Sequence, residues 1–231
     1  MAAAVNALVR YLVRHWLAIL NALVALYAGV PWLAPVLMRA GRPAAARAIY
    51  AIYAPQCHQL AQRSFFLFGR QLMYSLPQLQ ATWPGSAGVL GLRAIVGNAE
   101  MGWKVAWSDR MVAMYGAILA FGLLFGLLRR WLPPAPLWLG LLLLVPMALD
   151  GGTHFLSDLG GLEQGFRATN SWLAQLTGHQ LPASFYAGDA LGSFNSWMRL
   201  VTGILFGLAV VWVAYPRLER LSEEWEPEVS E

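Results

Sequence analysis

The sequence contains one cysteine, one lysine and few charged residues of any kind. Cys57 has no second cysteine to pair with, so the chain forms no internal disulfide. Charged residues make up 12% of the 231 positions, whereas an ordinary soluble domain has about 25%. Apart from Lys104 the positive charge comes from arginine, and no basic stripe with interleaved aromatic residues argues for nucleic acid as a partner. With 58% hydrophobic residues, the composition predicts a protein embedded in membrane lipid.

Acidic residues are scarce outside the C-terminal segment. The chain has 12 of them, and six lie at or after Glu219, so only six precede it. This distribution predicts a solvated acidic tail at residues 217–231. It also makes each earlier carboxylate informative, because a charge that lies close to an apolar run needs a physical reason.

Long apolar runs predict an all-α integral membrane bundle. A helix needs about 20 predominantly apolar residues to cross the hydrocarbon core, and we expect spans at 15–38, 111–128, 135–158 and 196–215. The first run is interpreted as an uncleaved helix and not a signal peptide, because it is long and no small-residue cleavage site closes it. Residues 1–216 would then form a single membrane domain, with Pro216 ending the last span.

The segments between the spans predict helices at the membrane surface and a cell-membrane, multi-pass topology. Residues 43–54 suit a short interfacial helix, residues 54–71 an interfacial or re-entrant helix, and residues 75–103 a loop. An even number of spans places both termini on one side. Arginines at 10, 14, 129, 130, 217 and 220 share that side and favour the cytoplasm.

The third apolar run ends in three ionisable residues. Asp150, His154 and Asp158 are spaced by four, which places them on one face if the segment is helical. A carboxylate near the bilayer centre costs about 2.5 to 3.5 kcal/mol, so such groups usually face a cavity or partner helices. Two glycines follow Asp150 and predict that the helix unwinds there. The alternative is that the span ends at Leu149 and Asp150 caps a short interfacial helix.

A carboxylate beside an imidazole suits zinc, iron or manganese, or a proton relay. Cys57 and His58 add a thiol and a second imidazole, although adjacent residues point in different directions and are not expected to bind one metal together. Our candidate ligands for a divalent metal ion or a polar cofactor are therefore Cys57, His58, Asp150 and His154. An inert buried cysteine is the alternative for Cys57.

The run CHQLAQRSFFLFGRQ, which begins at Cys57, resembles the motif of a bacterial and archaeal family of predicted multi-span membrane proteins (domain of unknown function 2085). The likeness continues in SDRMVAMYGA, ALDGGTHF, RATNSWLAQLTG and SWMRLVTG, and so covers roughly residues 50–216. Family members commonly have a cysteine just before the second span, where this chain reads Trp107-Ser108-Asp109-Arg110. That departure argues against a thiolate metal site and makes Asp109 an alternative oxygen ligand.

The resemblance implies further marked positions but no activity. The positions that the family's pattern marks are Cys57, His58, Gln59, Arg63, Asp150, Arg167, Asn170, Arg199, Thr202 and Gly203. Our supporting polar residues are those among them outside the candidate ligands, namely Gln59, Arg63, Arg167, Asn170 and Arg199, together with Asp109 and Asp158. The arginines among them have two interpretations. Each is either a snorkelling anchor at the interface or part of a clamp for the phosphate of a lipid head group.

Three hypotheses of function follow from these residues. The first is a membrane protein that binds a metal ion or polar cofactor in a cavity near one membrane face. The second is a non-catalytic accessory subunit that packs against other membrane subunits and lipid. The third is a proton relay through Asp150 and Asp158, against which the apolar segment Leu139–Leu149 argues because it offers no polar path to the other face.

Overall fold

A computed structural model describes residues 2–86 and 88–228 and shows helices joined by two folded loops. The elements in chain order are α1 (Ala2–Arg14), α2 (Trp16–Arg39), α3 (Pro43–Tyr53), β1 (Ser64–Leu67), α4 (Leu76–Thr82), α5 (Gly88–Ala94), β2 (Gly97–Asn98), β3 (Gly102–Ser108), α6 (Asp109–Leu128), α7 (Leu137–Leu159), α8 (Phe166–Thr169), α9 (Ser171–Leu176), α10 (Ala183–Tyr186) and α11 (Phe194–Glu228).

The all-α membrane architecture predicted from the apolar runs is confirmed. Among the described residues, four helices are long and apolar enough to cross a membrane, namely α2, α6, α7 and the stretch Phe194–Trp225 of α11. Their first residues lie within one or two positions of the predicted starts. We call residues 40–108, between α2 and α6, the cap, and residues 160–193, between α7 and α11, the second loop.

The last helix is longer than predicted, and the boundary expected at Pro216 is wrong. α11 continues through Pro216 to Glu228, so most of the acidic tail is helical, while residues 229–231 lie outside the described residues. Proline removes the hydrogen bond to the carbonyl four residues earlier, which here belongs to Trp212. That carbonyl instead accepts the N–H of Ala135 at 3.2 Å, from the start of the segment that leads into α7. The helix therefore passes its proline with no carbonyl left unpaired at that turn.

α11 packs more extensively against α6 than against any other helix, through small residues. A Cβ placed on Gly203 would lie 2.7 Å from the Cβ of Ala113, and one on Gly207 would lie 2.5 Å from the Cβ of Ala117. Glycines spaced by four thus face alanines spaced by four. This arrangement lets two backbones approach closely, as is common between helices in membranes.

Gly207→Ala is therefore expected to destabilise the bundle by about 1 to 3 kcal/mol, the usual effect of an added methyl in a filled interface. The matched control is Gly116→Ala in α6, where an added Cβ meets nothing within 4 Å. The measurement is the thermal unfolding midpoint of each variant in detergent. Equal midpoints for the two variants would contradict the close packing of α11 against α6.

The cap contains a small antiparallel sheet that the sequence did not reveal. Its strands lie in the order β1, β3, β2, and Ser64 pairs with Ser108 across β1 and β3. The segment 54–71 was expected to be an interfacial or re-entrant helix, and that expectation is wrong at residues 64–67. Phe66 points into the core of the cap and packs edge-on against Tyr74, so the strand is held by burial inside the cap and not by lipid.

An aromatic cluster attaches the cap to the bundle. Trp107, at the end of β3, is fully buried. Its ring centroid lies 4.7 to 5.3 Å from those of Tyr27 in α2, Tyr53 in α3 and Tyr115 in α6. Aromatic pairs at such distances contribute about 0.5 to 1.5 kcal/mol beyond the area they bury. The cluster therefore fixes β3, and the α6 end that follows it, against α2.

The third span is a continuous helix, and the unwinding predicted after Asp150 does not occur. α7 runs through both glycines to Leu159, and the hydroxyl of Thr153 donates to the carbonyl of Leu149 at 2.7 Å. Because the helix is regular, Asp150, His154 and Asp158 lie on one face, as their spacing predicted. The alternative in which the span stops at Leu149 is wrong for the same reason.

Candidate functional site

Charged side chains converge where the cap and the second loop cover the ends of α6, α7 and α11. We call this group the charge cluster; its members are Arg63, Asp109, Arg110, Asp150, His154, Asp158, Arg167, Asp189 and Arg199. Four arginines face four aspartates, so the cluster is formally neutral when its histidine is neutral. Buried charges of this kind persist only when they are paired and hydrogen-bonded.

Asp150 is the first centre of the cluster. Its side chain is 1% exposed, and its two oxygens accept separate hydrogen bonds from Arg110 Nη2 at 2.7 Å and from Arg167 Nη2 at 2.6 Å. One turn later, His154 Nδ1 lies 3.1 Å from the Asp150 carbonyl oxygen. A carbonyl only accepts, so this contact places the proton on Nδ1. The second ring nitrogen, Nε2, is buried and has no hydrogen-bond partner among the described residues.

Asp189, in the second loop, is the other centre. Its carboxylate accepts from Arg63 Nε at 2.8 Å and from Arg199 Nη1 at 2.7 Å, while Arg199 Nη2 donates to its backbone carbonyl. Burial alone would raise the pKa of Asp189, but the guanidinium groups of Arg63 and Arg199 hold it well below its usual value. Asp189 thus remains ionised and ties the cap and α11 to the second loop.

Two further carboxylates complete the pairing of Arg63 and Arg199. Arg63 donates to both oxygens of Asp158 at 2.7 and 2.8 Å. Arg199 Nε lies 2.8 Å from both oxygens of Asp109, the first residue of α6. The forked guanidinium suits this two-sided pairing, which a lysine ammonium does not reproduce. The prediction that these arginines snorkel to the interface is therefore wrong, since both are at least 95% buried.

A second set of hydrogen bonds holds Arg167 in place. Asn170 adopts a left-handed backbone conformation, with φ of 43°. Its amide nitrogen donates to the carbonyls of Arg167 and Tyr186, at 3.0 and 2.7 Å. Asn195, at the start of α11, donates to the same Arg167 carbonyl at 2.7 Å. Asn170 therefore positions the turn that presents Arg167 to Asp150.

A cavity of about 230 Å³ lies against the charge cluster, between the cap and the helix ends. Of the four candidate ligands, Cys57, His58 and His154 line it and Asp150 does not, while the supporting residues Arg63, Asp158 and Arg199 also line it. Gly151 and Phe155 of α7 and Met111 of α6 also line it. Phe155 is 65% exposed on the outer surface of α7. The cavity thus has a charged wall next to an apolar, outward-facing rim.

The arrangement does not support the predicted metal site. Within the described ranges, no three side chains of histidine, cysteine, aspartate or glutamate come together as a set of metal ligands. Both oxygens of Asp150 are already occupied by arginines. Asp109, the alternative oxygen ligand, is likewise paired with Arg199. A cation in the cavity would also face the guanidinium groups that line it, which is unfavourable by Coulomb's law.

The loop Cys57-His58-Gln59 presents the motif residues to this cavity through a strained turn. Gln59 has φ of 51°, which is uncommon for a residue other than glycine. Its backbone N–H and that of Ser108 each lie 3.4 Å from Cys57 Sγ, and its side-chain amide donates to the Tyr50 carbonyl at 2.9 Å. His58 Nδ1 accepts the N–H of Leu60 at 3.2 Å. Strain held in place by so many contacts is typical of functional loops.

Lys104 of β3 also holds this loop in place, and it was not among the residues predicted from the sequence. It is fully buried, and its Nζ donates to the carbonyls of Gln59 and Arg93, each at 2.8 Å. Burial lowers the pKa of Lys104 to about 7, since the charged ammonium loses its water. The sequence feature that could have identified Lys104 is that it is the single lysine among many arginines.

Because of Lys104, stability is expected to rise between about pH 7 and pH 10. In this range the unfolded chain, with an ordinary lysine pKa of 10.5, binds more protons than the folded one, so the free energy of unfolding increases with pH. The rise is at most about 1.4 kcal/mol per pH unit. Lys104→Met should abolish this slope whatever its effect on absolute stability, as measured by thermal midpoints across the range. An unchanged slope in that variant would contradict the prediction.

Two members of the charge cluster were not among the predicted site residues. Arg110 precedes the second apolar run, where it looks like an ordinary interfacial arginine. Asp189 lies in the second loop without any motif. The sequence feature that could have identified Asp189 is the scarcity of acidic residues, because four of the six acidic residues before Glu219 belong to the cluster.

A comparison with protein families bears on the same segment. Residues 100–213 match a family model described as a predicted membrane protein (DUF2085). The matched range contains α6, α7 and the first part of α11, with Asp109, Asp150 and Arg199. The Cys-His-Gln motif lies before it, so the match supports the resemblance for the later motifs only. No curated protein and no solved structure matches the chain.

Proposed function

We propose that this membrane protein binds the polar head group of a membrane-soluble amphiphile in the cavity beside the charge cluster. The observation that carries the proposal is the composition of the cavity wall. Arg63, Arg110 and His154 line the cavity together with Phe155, which is largely exposed on the surface. An amphiphile has the same two parts, a polar head and an apolar chain that stays in lipid.

The size and position of the cavity support this proposal. Ligand sites are typically concave spaces of about 300 to 1,000 Å³ with a few convergent polar groups, and about 230 Å³ suits a head group more than a whole molecule. The cavity lies at the ends of three candidate spans, where we expect the head groups of the bilayer to meet water. An unsatisfied group belongs to a residue of its wall, namely the unpartnered Nε2 of His154, and the strained Gln59 directly follows the lining residues Cys57 and His58.

The single cysteine offers a direct test, because Cys57 lines the cavity and nothing else in the chain reacts with a maleimide as a thiol does. We expect lysophosphatidic acid, lysophosphatidylcholine or a monoacylglycerol to slow alkylation of Cys57 by N-ethylmaleimide in detergent. The control is a Cys57→Ser protein with Ser222→Cys, a position at the opposite end of the bundle. If none of the three amphiphiles protects Cys57 more than the control cysteine, the proposal fails.

A second candidate function is that of an accessory subunit, which a groove between α7 and α11 favours. This groove of about 380 Å³ is lined by apolar residues that include Leu141, Leu144 and Val210. A helix of another membrane subunit would fit such a surface, since close packing drives association in lipid. Recovery of a stoichiometric partner that is lost on Leu144→Trp substitution would favour this function. A pure, monodisperse single chain would count against it.

For orientation, we propose that both termini lie in the cytoplasm and that the cap lies on the other side. Arg129 pairs with Glu219 at the end of the bundle opposite the charge cluster, and α1 with its arginines belongs to the same end. Arginine-rich short segments favour the cytoplasmic side. A reporter enzyme fused to the C-terminus that is active only outside the cytoplasm should stay inactive; activity would reverse the orientation.

A further inference from the structure

The arginines of the charge cluster, more than its aspartates, line the cavity. Of the described residues that line it, three carry guanidinium groups, Arg63, Arg110 and Arg199, and one carries a carboxylate, Asp158. The other aspartates of the cluster lie behind these arginines and do not line the cavity. The pairs therefore present mainly their positive ends to the space, although the cluster as a whole is formally neutral.

Arg110 has hydrogen-bonding capacity that its partner does not use. It donates to Asp150 through Nη2 only, and no bond from Nη1 or Nε is found in the part of the chain that the structure describes. Its Nη1 lies directly over Gly151: a Cβ added to this glycine would be 2.8 Å away. Glycine at this position thus lets the guanidinium lie across the helix at the cavity wall.

His58 supplies a second donor. Its Nδ1 accepts the N–H of Leu60, so the proton of the neutral ring is on Nε2. The side chain is exposed at the mouth of the cavity. Arg110 and His58 come from different segments, α6 and the cap, and line the same space. Donors from two directions and a locally positive wall fit an oxyanion.

We infer that the head group bound in this cavity is anionic and carries a phosphate. This inference rests on the proposed function and gives the chemical class of its ligand. A phosphate offers several acceptor oxygens to the planar guanidinium fork, which matches phosphate geometry, and to the imidazole. A neutral head group would offer less to the Nη1 and Nε donors that Arg110 does not spend on Asp150.

Neighbouring glycines provide matched variants for a test. Gly151→Ala displaces the guanidinium of Arg110, whose Nη1 would lie 2.8 Å from the added Cβ, without removing its charge. Gly152→Ala adds the same methyl group to the same helix, where nothing lies within 4 Å. Both substitutions favour the helix equally, so folding is retained in each. Only Gly151→Ala should change binding.

The experiment is a titration of the purified protein in detergent with lysophosphatidic acid, a monoacylglycerol of the same chain length, and inorganic phosphate. We expect lysophosphatidic acid to bind at least about tenfold more tightly than the monoacylglycerol, as charge-assisted hydrogen bonds imply. Gly151→Ala should reduce this preference about tenfold, on the same grounds, and Gly152→Ala should leave it intact.

Each other outcome overturns a defined part of the account. Equal affinity for lysophosphatidic acid and the monoacylglycerol would overturn the anionic head group and leave the amphiphile site standing. Binding of neither would overturn the proposed function itself. Inorganic phosphate that binds as tightly as the lysolipid, with the same sensitivity to Gly151→Ala, would support the phosphate site and overturn a lipid as its source.

Discussion

Asp189→Asn is expected to lower the free energy of unfolding by about 3 to 5 kcal/mol, the usual effect of removing one partner from a buried ion pair. Asp189 is bonded to both Arg63 and Arg199 and connects the second loop to the cap and to α11. Its loss leaves two buried guanidinium groups with incomplete compensation. The amide of the introduced asparagine retains one acceptor oxygen but carries no negative charge to balance the guanidinium groups of Arg63 and Arg199.

The measurement is the thermal unfolding midpoint in detergent, followed by circular dichroism, with Glu100→Gln as the control. Glu100 pairs with Arg70 on the surface of the cap, where the two side chains are 66% and 80% exposed. Exposed pairs of this kind contribute less than about 1 kcal/mol. Similar midpoints for Asp189→Asn and Glu100→Gln would show that the charge cluster is not a stabilising element.

Asp150→Asn is expected to have an effect of the same size, about 3 to 5 kcal/mol, and to be partly relieved by a second substitution. Asp150 accepts from Arg110 and Arg167 in a nearly inaccessible position. Arg167→Gln in the Asp150→Asn background removes one of the two uncompensated charges. The double variant should therefore be more stable than the sum of the single effects predicts.

Neighbours in one network typically show coupling energies of about 0.5 to 3 kcal/mol, and a double-mutant cycle measures this value. Asn170→Ala is a useful companion, because it loosens the turn that holds Arg167 without altering any charge. Strictly additive effects of Asp150→Asn and Arg167→Gln would mean that the two side chains do not depend on each other. The arrangement around Asp150 would then be wrong.

The membrane spans were predictable because lipid imposes a simple rule on length and polarity. Runs of apolar residues predicted the starts of the four long helices to within two residues, and the spacing of Asp150, His154 and Asp158 placed them on one face. The exceptions arose from contacts that are distant in sequence. α11 passes Pro216, where Ala135 pairs with the freed carbonyl, and α7 stays regular at Gly151, over which Arg110 lies.

The partners of the candidate site were less predictable. Asp189 lies 126 positions after Arg63, and only the fold brings the second loop over the cap. The strand β1 was hidden because it has only four residues and reads Ser-Phe-Phe-Leu, so its sequence lacks the polar–apolar alternation that marks a half-exposed strand, although its burial does alternate. The predicted residues Cys57, His58 and His154 do share one cavity. Their role in binding stays a proposal.

Native mass spectrometry of the protein released from its detergent micelle tests the central claim most directly, because it weighs whatever the cavity retains from the membrane. Wild type and Gly152→Ala should carry a bound amphiphile whose fragments include a phosphate, and Gly151→Ala should lose most of it. A phosphate-bearing adduct that is retained equally by all three proteins, or the absence of any adduct from wild type, would contradict a phosphate head group held by Arg110 at the wall of this cavity.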